Sequence, residues 1–185
     1  MNVIDFKKLS ILFVRKVVST FRQHAVNALA LAAPESRTRG MPLHLTKLCV
    51  GCDTIRDLEE WIEENRSHAR RLGRAYEQTH TTRMMPKRCD ALLDGGSLYW
   101  VVKGYLACRQ RLLAVRAFTD GDGIGRCRLV LDPAVIAVEP RPCRPFQGWR
   151  YLEAKDTPRD LGRGTGDLAA MPEALRRELA DLGLL

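Results

Sequence analysis

The middle of the chain alternates β-prone runs with turn sequences, and this pattern restricts the possible folds more than any other feature. Leu98-Tyr-Trp-Val-Val predicts a strand because its residues are bulky and β-prone throughout. Gly104 predicts a bend or bulge, and a long strand is expected from Tyr105 to about Phe118. Asp120-Gly-Asp-Gly predicts a hairpin turn, and Arg126 to Leu131 the returning strand. A chain with this core must build a largely antiparallel sheet.

Shorter patterns add further strands and three helices to this sheet. We expect strands at 43–49, 79–85, 135–138 and 149–152, and a Pro-rich loop at 140–145. We expect helices at about 54–72, with Asp53 or Thr54 as N-cap, at 86–93 and at 172–182. The predicted class is α+β, with a small, mostly antiparallel sheet of five to seven strands or a partly closed β-barrel, and flanking helices.

The first forty residues are expected to be separate from the globular domain. Residues 3–33 contain neither Pro nor Gly, and Lys8, Arg15 and Arg22 recur every seven residues, which predicts a basic amphipathic helix. A polar linker follows at 34–40, and residues 41–185 are expected to form a single α+β domain. Residues 1–40 are interpreted as upstream sequence included by an incorrect start, as a membrane-surface helix, or as a partner-binding helix.

The composition argues against membrane insertion and export. No apolar run reaches the roughly 20 residues that a transmembrane helix needs, and no secretory signal is evident, so a cytoplasmic location is expected. The six cysteines are then expected to be reduced. Cys49-Val-Gly-Cys52 has redox or zinc-ligand spacing, but His44, His68 and His80 offer it no second ligand pair. We predict two structural cysteines, no bound metal and no cofactor.

Basic residues beside aromatic rings are the most informative functional pattern. Residues 66–88 carry seven bases and one acid, and residues 103–128 carry six bases and two acids. Guanidinium groups next to rings suit phosphate contacts combined with base stacking. The alternative interpretation is a solvated sheet face over core aromatics, and at most one of Tyr99 and Trp100 is expected in the core of a one-sided sheet. The predicted nucleic-acid-binding residues are Arg83, Lys87, Arg88, Lys103, Arg109, Arg111, Arg126, Arg128, Trp149 and Arg150.

Several sequence motifs resemble those of a family of uncharacterised alphaproteobacterial proteins. This family is known only as a domain of unknown function. The motifs include Thr82-Arg-Met-Met-Pro-Lys-Arg, Asp94-Gly-Gly-Ser-Leu-Tyr-Trp-Val-Val-Lys-Gly and Arg144-Pro-Phe-Gln-Gly-Trp-Arg-Tyr-Leu. The resemblance covers about 41–162 and implies a bacterial cytoplasmic protein that begins near Met41. The order of helix 87–93, Gly95-Gly96 and strand 97–103 is similar to PUA and ASCH barrels, which implies RNA or a modified nucleoside as ligand.

The sequence is therefore compatible with three functions. The leading hypothesis is a module that binds structured RNA on a PUA-like barrel. An alternative is a small hydrolase acting on a modified nucleoside, with Lys103 activating and Asp94 or Glu139 as base. A third hypothesis is a protein-interaction domain that uses the acidic helix 53–64. The sequence leaves open whether the protein is an enzyme and what its oligomeric state is.

Overall fold

The predicted antiparallel core is present in the structure, a computed structural model that describes residues 41–161 and 171–183. These residues form seven strands and three helices. In chain order they are β1 (Leu43–Leu48), α1 (Ile55–Arg71), β2 (Gln78–Thr82), α2 (Cys89–Leu93), β3 (Ser97–Val102), β4 (Tyr105–Thr119), β5 (Gly125–Leu131), β6 (Ile136–Pro142), β7 (Trp149–Glu153), a 3₁₀ turn (Ala154–Asp156) and α3 (Glu173–Asp181). The predicted amphipathic helix and linker of residues 1–40 lie outside the described residues.

The strands form one mixed sheet in the order β2-β5-β4-β3-β1-β7. β1 pairs in parallel with β3, and the other pairings are antiparallel. β6 pairs with the first half of β4, so β5 and β6 lie end to end along the same edge of that long strand. The described sheet is not closed. The α+β class with a mostly antiparallel sheet is confirmed, whereas a PUA-like barrel is not.

Two tight backbone arrangements hold β3 in place. Lys103 and Gly104 both have positive φ, 46° and 86°, so they form a hairpin turn between β3 and β4 rather than the expected bend or bulge. At the other end of β3, a Cβ on Gly96 would lie 2.2 Å from the Leu92 carbonyl oxygen and 2.3 Å from that of Leu43. Only glycine therefore allows α2 and β1 to approach β3 so closely.

β3 is buried on both faces, which corrects the expectation for a one-sided sheet. Trp100 is 4% exposed and packs in the cluster that also contains α1, α2 and β5. Tyr99 is 3% exposed and packs on the opposite face, against Val138 and Phe146. Adjacent residues of a strand point to opposite faces, so both aromatic rings are core because each face is covered.

Helix α1 forms where the capping pattern predicted it. The Thr54 hydroxyl accepts a hydrogen bond from the Asp57 N–H at 3.1 Å, and the Asp57 carboxylate accepts one from the Thr54 N–H at 3.0 Å. This capping box satisfies two N–H groups that a helix start leaves unpaired. Ile55, Leu58 and Ile62 are the buried stripe. None of the described helices has the length and apolar character needed to cross a bilayer.

Three element boundaries differ from the prediction. α2 begins at Cys89 instead of Pro86, because the backbone of Arg88, its N-cap residue, is not helical (φ −100°, ψ 52°). β2 ends at Thr82, three residues earlier than expected. β6 continues to Pro142 through the predicted Pro-rich loop. Among the described strands it pairs with β4 alone, its other edge makes one isolated bridge from Val138 to Asp160, and proline is tolerated on such an edge.

Candidate nucleic-acid interface

Residues 83–88, called here the Met-Met loop, connect β2 to α2, with Pro86 buried and the other five residues exposed. The Trp149 Nε1–H donates to the Met84 carbonyl at 2.9 Å, and the Arg88 N–H donates to the Tyr151 hydroxyl at 3.1 Å. The rings of Trp149 and Tyr151 meet edge to face at 5.1 Å. These contacts fix the loop backbone on β7, while Met84 remains 71% exposed. The cationic side chains of Arg83, Lys87 and Arg88 are also exposed.

The β4–β5 hairpin presents a second group of cations around one aromatic ring. Its register places Phe118 opposite Arg126 and Arg116 opposite Arg128. The Arg128 guanidinium lies 4.4 Å from the centre of the Phe118 ring. Because residues two apart share a strand face, Arg126, Arg128 and Phe118 form one cationic and aromatic surface.

Asp120 organises the end of this hairpin. Its carboxylate accepts the backbone N–H groups of Asp122 and Ile124 and pairs with the Arg126 Nε. The Arg126 hydrogen bond, with help from the Ile124 N–H, holds the pKa of Asp120 below its usual value. The predicted hairpin turn is therefore confirmed. A guanidinium has five N–H donors, so this pair orients Arg126 through Nε and leaves it capacity for further contacts.

A cavity of about 370 Å³ lies where the Met-Met loop meets the hairpin, and we call it the hairpin cavity. It is a shallow depression that is largely open to solvent, and its volume is within the range of small-ligand sites, roughly 300–1,000 Å³. The residues that line it include two arginines, a phenylalanine and a methionine but no acid: Arg83, Met85, Ala117, Phe118, Thr119, Gly125 and Arg126. The fold thus brings together Arg83, Arg126 and, behind the ring, Arg128.

Arg109, by contrast, lies on β4, and its guanidinium donates hydrogen bonds through all three of its nitrogens. Nε and Nη2 donate to the two carboxylate oxygens of Asp160 at 2.6 and 2.5 Å, and Nη1 donates to the Ser97 hydroxyl at 3.1 Å. The side chain is 21% exposed. Arg111 lies two residues further along the same strand and is exposed. Their register partners are Tyr99 and Ser97 of β3, so this arginine pair does not meet the Arg126 and Arg128 pair.

The remaining predicted binding residues are dispersed. Lys103, in the β3–β4 turn, pairs with Asp53 at 3.4 Å. Arg150 is exposed on β7 and lies 4.7 Å from the Phe146 ring. Arg150 is opposite Thr46, whereas its neighbour Trp149 is opposite Lys47, so the two point to different sheet faces. Lys103, Arg109, Arg111 and Trp149 do not converge on one surface.

The residues proposed for a hydrolase are also not assembled. Asp94 precedes β3 and Lys103 follows it. A six-residue strand at about 3.3 Å per residue separates them by about 20 Å. Glu139 lies on β6, where its N–H donates to the Arg159 carbonyl at 2.9 Å. The carboxylate that Lys103 contacts is that of Asp53.

The paired cysteines join β1 to the start of α1. The Cys49 N–H donates to the Val101 carbonyl at 2.9 Å, and both cysteines pack against the main core. The hydrogen bond to Cys52, together with burial, raises the pKa of the Cys49 thiol. A protonated thiol is a poor nucleophile and a poor metal ligand. Within the described ranges no group of three ligating side chains is assembled, and the absence of a metal stays a prediction.

A larger cavity, of about 500 Å³, lies beside α1, and we call it the acidic groove. Glu59 and Glu63 line it from the helix and Asp132 lines it from the β5–β6 connection, with one cation, Arg66, at its edge. The Arg66 guanidinium is 3.7 Å from the Glu63 carboxylate. The groove therefore retains net negative charge.

Sequence reasoning missed Phe118 and the polar side chains around Arg109. Phe118 could have been found, because the turn at Asp120–Gly123 fixes the hairpin register and places this ring opposite Arg126. His44, Ser97 and Asp160 could not, since they come from β1, β3 and a segment after β7 and have no local spacing. Only the sheet order brings them together.

Comparison with known proteins gives the family but no activity. Residues 45–185 match the family described as "Protein of unknown function (DUF1489)". No curated protein and no solved structure matches the chain. The match agrees with the resemblance of the sequence to an uncharacterised family, and it does not show the similarity to PUA and ASCH barrels. Because this match covers well over half of the residues, the chain belongs to the DUF1489 family of proteins of unknown function.

Proposed function

We propose that the protein is a cytoplasmic RNA-binding module that holds an unpaired segment of a structured RNA on the hairpin cavity and the Met-Met loop. The observation that carries this proposal is the cavity of about 370 Å³ lined by Phe118, Arg83 and Arg126 without an acid. Proteins that recognise RNA commonly stack unpaired bases on aromatic rings or guanidinium planes and neutralise phosphates with basic side chains.

The arrangement suggests a division of roles among these side chains. Phe118, with the Arg128 guanidinium 4.4 Å from its ring centre, offers a flat surface for a base. Arg83 and Arg126 border the same cavity and suit the flanking phosphates. Lys87 and Arg88 extend the positive surface along the Met-Met loop, whose backbone Trp149 and Tyr151 hold in place. An open sheet is sufficient for this function, so it does not depend on a PUA-like barrel.

Fluorescence anisotropy with a labelled RNA hairpin that has an unpaired loop tests the proposal. Arg83→Gln combined with Arg126→Gln should reduce the slope of log affinity against log salt by about 1.4, or about 0.7 for each phosphate contact on a single strand. Phe118→Leu should weaken binding to the loop and leave the salt slope unchanged. The matched control is Arg70→Gln with Arg71→Gln, which removes the same charge from the exposed end of α1.

Three results would contradict the proposal. The first is no binding by the wild-type chain at low salt. The second is an equal loss of slope in the matched control, which would indicate a diffuse charge effect. The third is binding by the full chain but not by residues 41–185, which would assign the activity to the first forty residues. Melting curves for each variant separate lost contacts from lost folding.

A second candidate function, protein interaction through α1, is favoured by the acidic groove. Glu59, Glu63 and Asp132 converge there on a cavity of about 500 Å³, which suits a lysine or arginine side chain of a partner. Reversing the charge with Glu59→Lys and Glu63→Lys should abolish capture of such a partner. The same change should not reduce the salt slope of RNA binding, in contrast to Arg83→Gln combined with Arg126→Gln. We do not propose the hydrolase alternative, because Lys103 contacts Asp53 and is separated from Asp94 by the length of β3.

A further inference from the structure

The hydrogen bonds around Arg109 have the geometry of an oxyanion-binding site. In this structure a carboxylate of the same chain occupies that position. The Asp160 carboxylate receives two parallel N–H bonds from the guanidinium, at 2.6 and 2.5 Å. This two-point geometry is the one that proteins use to bind carboxylate and phosphate groups. Ser97 accepts the third guanidinium contact, at 3.1 Å, so its own hydroxyl proton can be donated to an anion.

Among the described residues, the polar groups next to this pair come from Ser97, His44 and Tyr99 and carry no second negative charge, whereas the apolar cluster that holds Tyr99 covers the neighbouring part of this face. The Ser97 N–H donates to His44 Nδ1 at 3.1 Å, so a neutral His44 ring carries its proton on Nε2. Burial, and then the Arg109 charge, lower the pKa of His44, which favours this neutral form. Tyr99 meets the His44 ring edge to face at 5.3 Å. An anion held by Arg109 would therefore have one cation beside it, together with hydroxyl and imidazole groups.

One buried hydroxyl on the same sheet face finds no hydrogen-bond partner within residues 41–161 and 171–183. Thr46 is opposite Tyr99 in the β1–β3 register and is 6% exposed, and it is the Thr46 Oγ1 that lacks a partner there. A buried hydroxyl without a partner is unfavourable, because it has lost its contacts with water. Tyr99 lies between Thr46 and Arg109 in the sheet, so this unsatisfied hydroxyl belongs to the same sheet face without contacting the Arg109–Asp160 pair.

The Asp160 side chain can leave the guanidinium without detaching its backbone. The segment that carries it is held by the Leu161 N–H, which donates to the Ala137 carbonyl at 2.8 Å, and by the Arg159 carbonyl, which accepts from Glu139. Pro158 and Leu161 are buried on either side. The Asp160 side chain itself is 40% exposed, so a change of rotamer would turn the carboxylate into solvent.

We propose that Arg109, Ser97 and their polar neighbours form a second ligand site, for an oxyanion such as a phosphate or carboxylate group, and that Asp160 occupies it in cis. The external anion takes the place of the Asp160 carboxylate on the two guanidinium nitrogens. No covalent step is involved. This site lies on the sheet face that Tyr99 covers, away from the hairpin cavity, and does not depend on RNA binding.

The test compares anion binding by full-length wild type and by Asp160→Asn, which keeps an acceptor for Arg109 but removes the competing charge. The probes are inorganic phosphate and acetate, each against sodium chloride at equal ionic strength, and the readout is isothermal titration with a thermal-shift measurement. Asp160→Asn should bind phosphate or acetate at least 10-fold more tightly than the wild type, and the better probe identifies the class of oxyanion.

Two further variants make the result specific. Arg109→Gln added to Asp160→Asn should remove the gain, whereas a gain that persists would place the anion elsewhere and overturn the proposal. Asp156→Asn removes an exposed carboxylate of the same segment and should bind like the wild type. Equal affinity of the wild type and Asp160→Asn for phosphate and for acetate would also overturn the proposal. If both Asp160→Asn and Asp160→Ser fail to fold, the carboxylate is a fixed part of the fold and the proposal is wrong.

Discussion

Arg109→Ala and Arg111→Ala form a matched pair of changes that should have opposite consequences. Both remove an arginine side chain from β4, two residues apart on one face. Arg109 makes three hydrogen bonds through its guanidinium, two of them to Asp160. Arg111 is exposed, and its structural contribution is a backbone carbonyl that accepts from the Asp132 N–H at 2.9 Å, which alanine keeps.

The expected magnitude follows from the exposure of the ion pair. Surface pairs contribute about 0–1 kcal/mol and breaking a buried one costs about 3–5 kcal/mol. With side chains 21% and 40% exposed, the Arg109–Asp160 pair lies between these limits. We therefore expect Arg109→Ala to lower the free energy of unfolding by about 2 kcal/mol, and Arg111→Ala to change it by less than about 0.5 kcal/mol.

Urea denaturation and thermal melting of the full chain measure this difference. At roughly 2–4 °C per kcal/mol for a protein of this size, Arg109→Ala should lower Tm by about 4–8 °C, with an unchanged urea m-value. Equal stability of the two variants would refute the reasoning, because it would show that the ion pair contributes no more than a surface contact. A loss of RNA affinity in Arg109→Ala without a loss of stability would refute it too, and would return Arg109 to the binding surface.

Two other predictions concern the domain boundary and the effect of pH. Residues 41–185 should retain the unfolding free energy of the full chain to within about 2 kcal/mol, as thermal unfolding of the two will show; a larger loss would mean that residues 1–40 supply core contacts. Burial, and then the Lys47 charge, lower the pKa of His80 to about 3. The unfolded chain therefore binds a proton below about pH 6.5 that the folded chain does not, and stability should fall by up to about 1.4 kcal/mol per pH unit between pH 6.5 and 3. His80→Gln should flatten this dependence while His68→Gln, an exposed control, should not; equal slopes in both would disprove it.

Local patterns predicted the elements whose causes are local. The capping box at Thr54 and Asp57 fixed the start of α1, and the Asp120 turn fixed the β4–β5 hairpin. The parallel pairing of β1 with β3 could not be predicted, because helices and β2 separate the two strands and no turn sets their register. β6 was underestimated because proline is tolerated at the edge of a sheet.

The burial of β3 shows why residue type alone did not locate the site. Tyr99 and Trp100 belong to two different clusters, and the second depends on Phe146 and Val138, which reach β3 only through the sheet order. Segments that are distant in sequence also cover most of the Arg109 side chain, and one of them supplies its ion-pair partner Asp160. Charge in the sequence therefore indicated which residues were available for ligand contacts, and the topology decided which of them remained on the surface.

The partner of each arginine distinguishes its role in the fold from a role at the surface. Arg109 pairs with a carboxylate 51 residues away, so the contact holds together distant parts of the chain. Arg126 pairs with a carboxylate only six residues away, within one hairpin that its own turn already closes. This second pair is local to the hairpin: it supports the turn and orients the Arg126 side chain, but it does not join distant parts of the chain. An oriented cation beside Phe118, at the edge of a cavity without acids, is preorganised for a ligand. This difference is the physical reason to place RNA at the hairpin cavity and not on the Arg109 face.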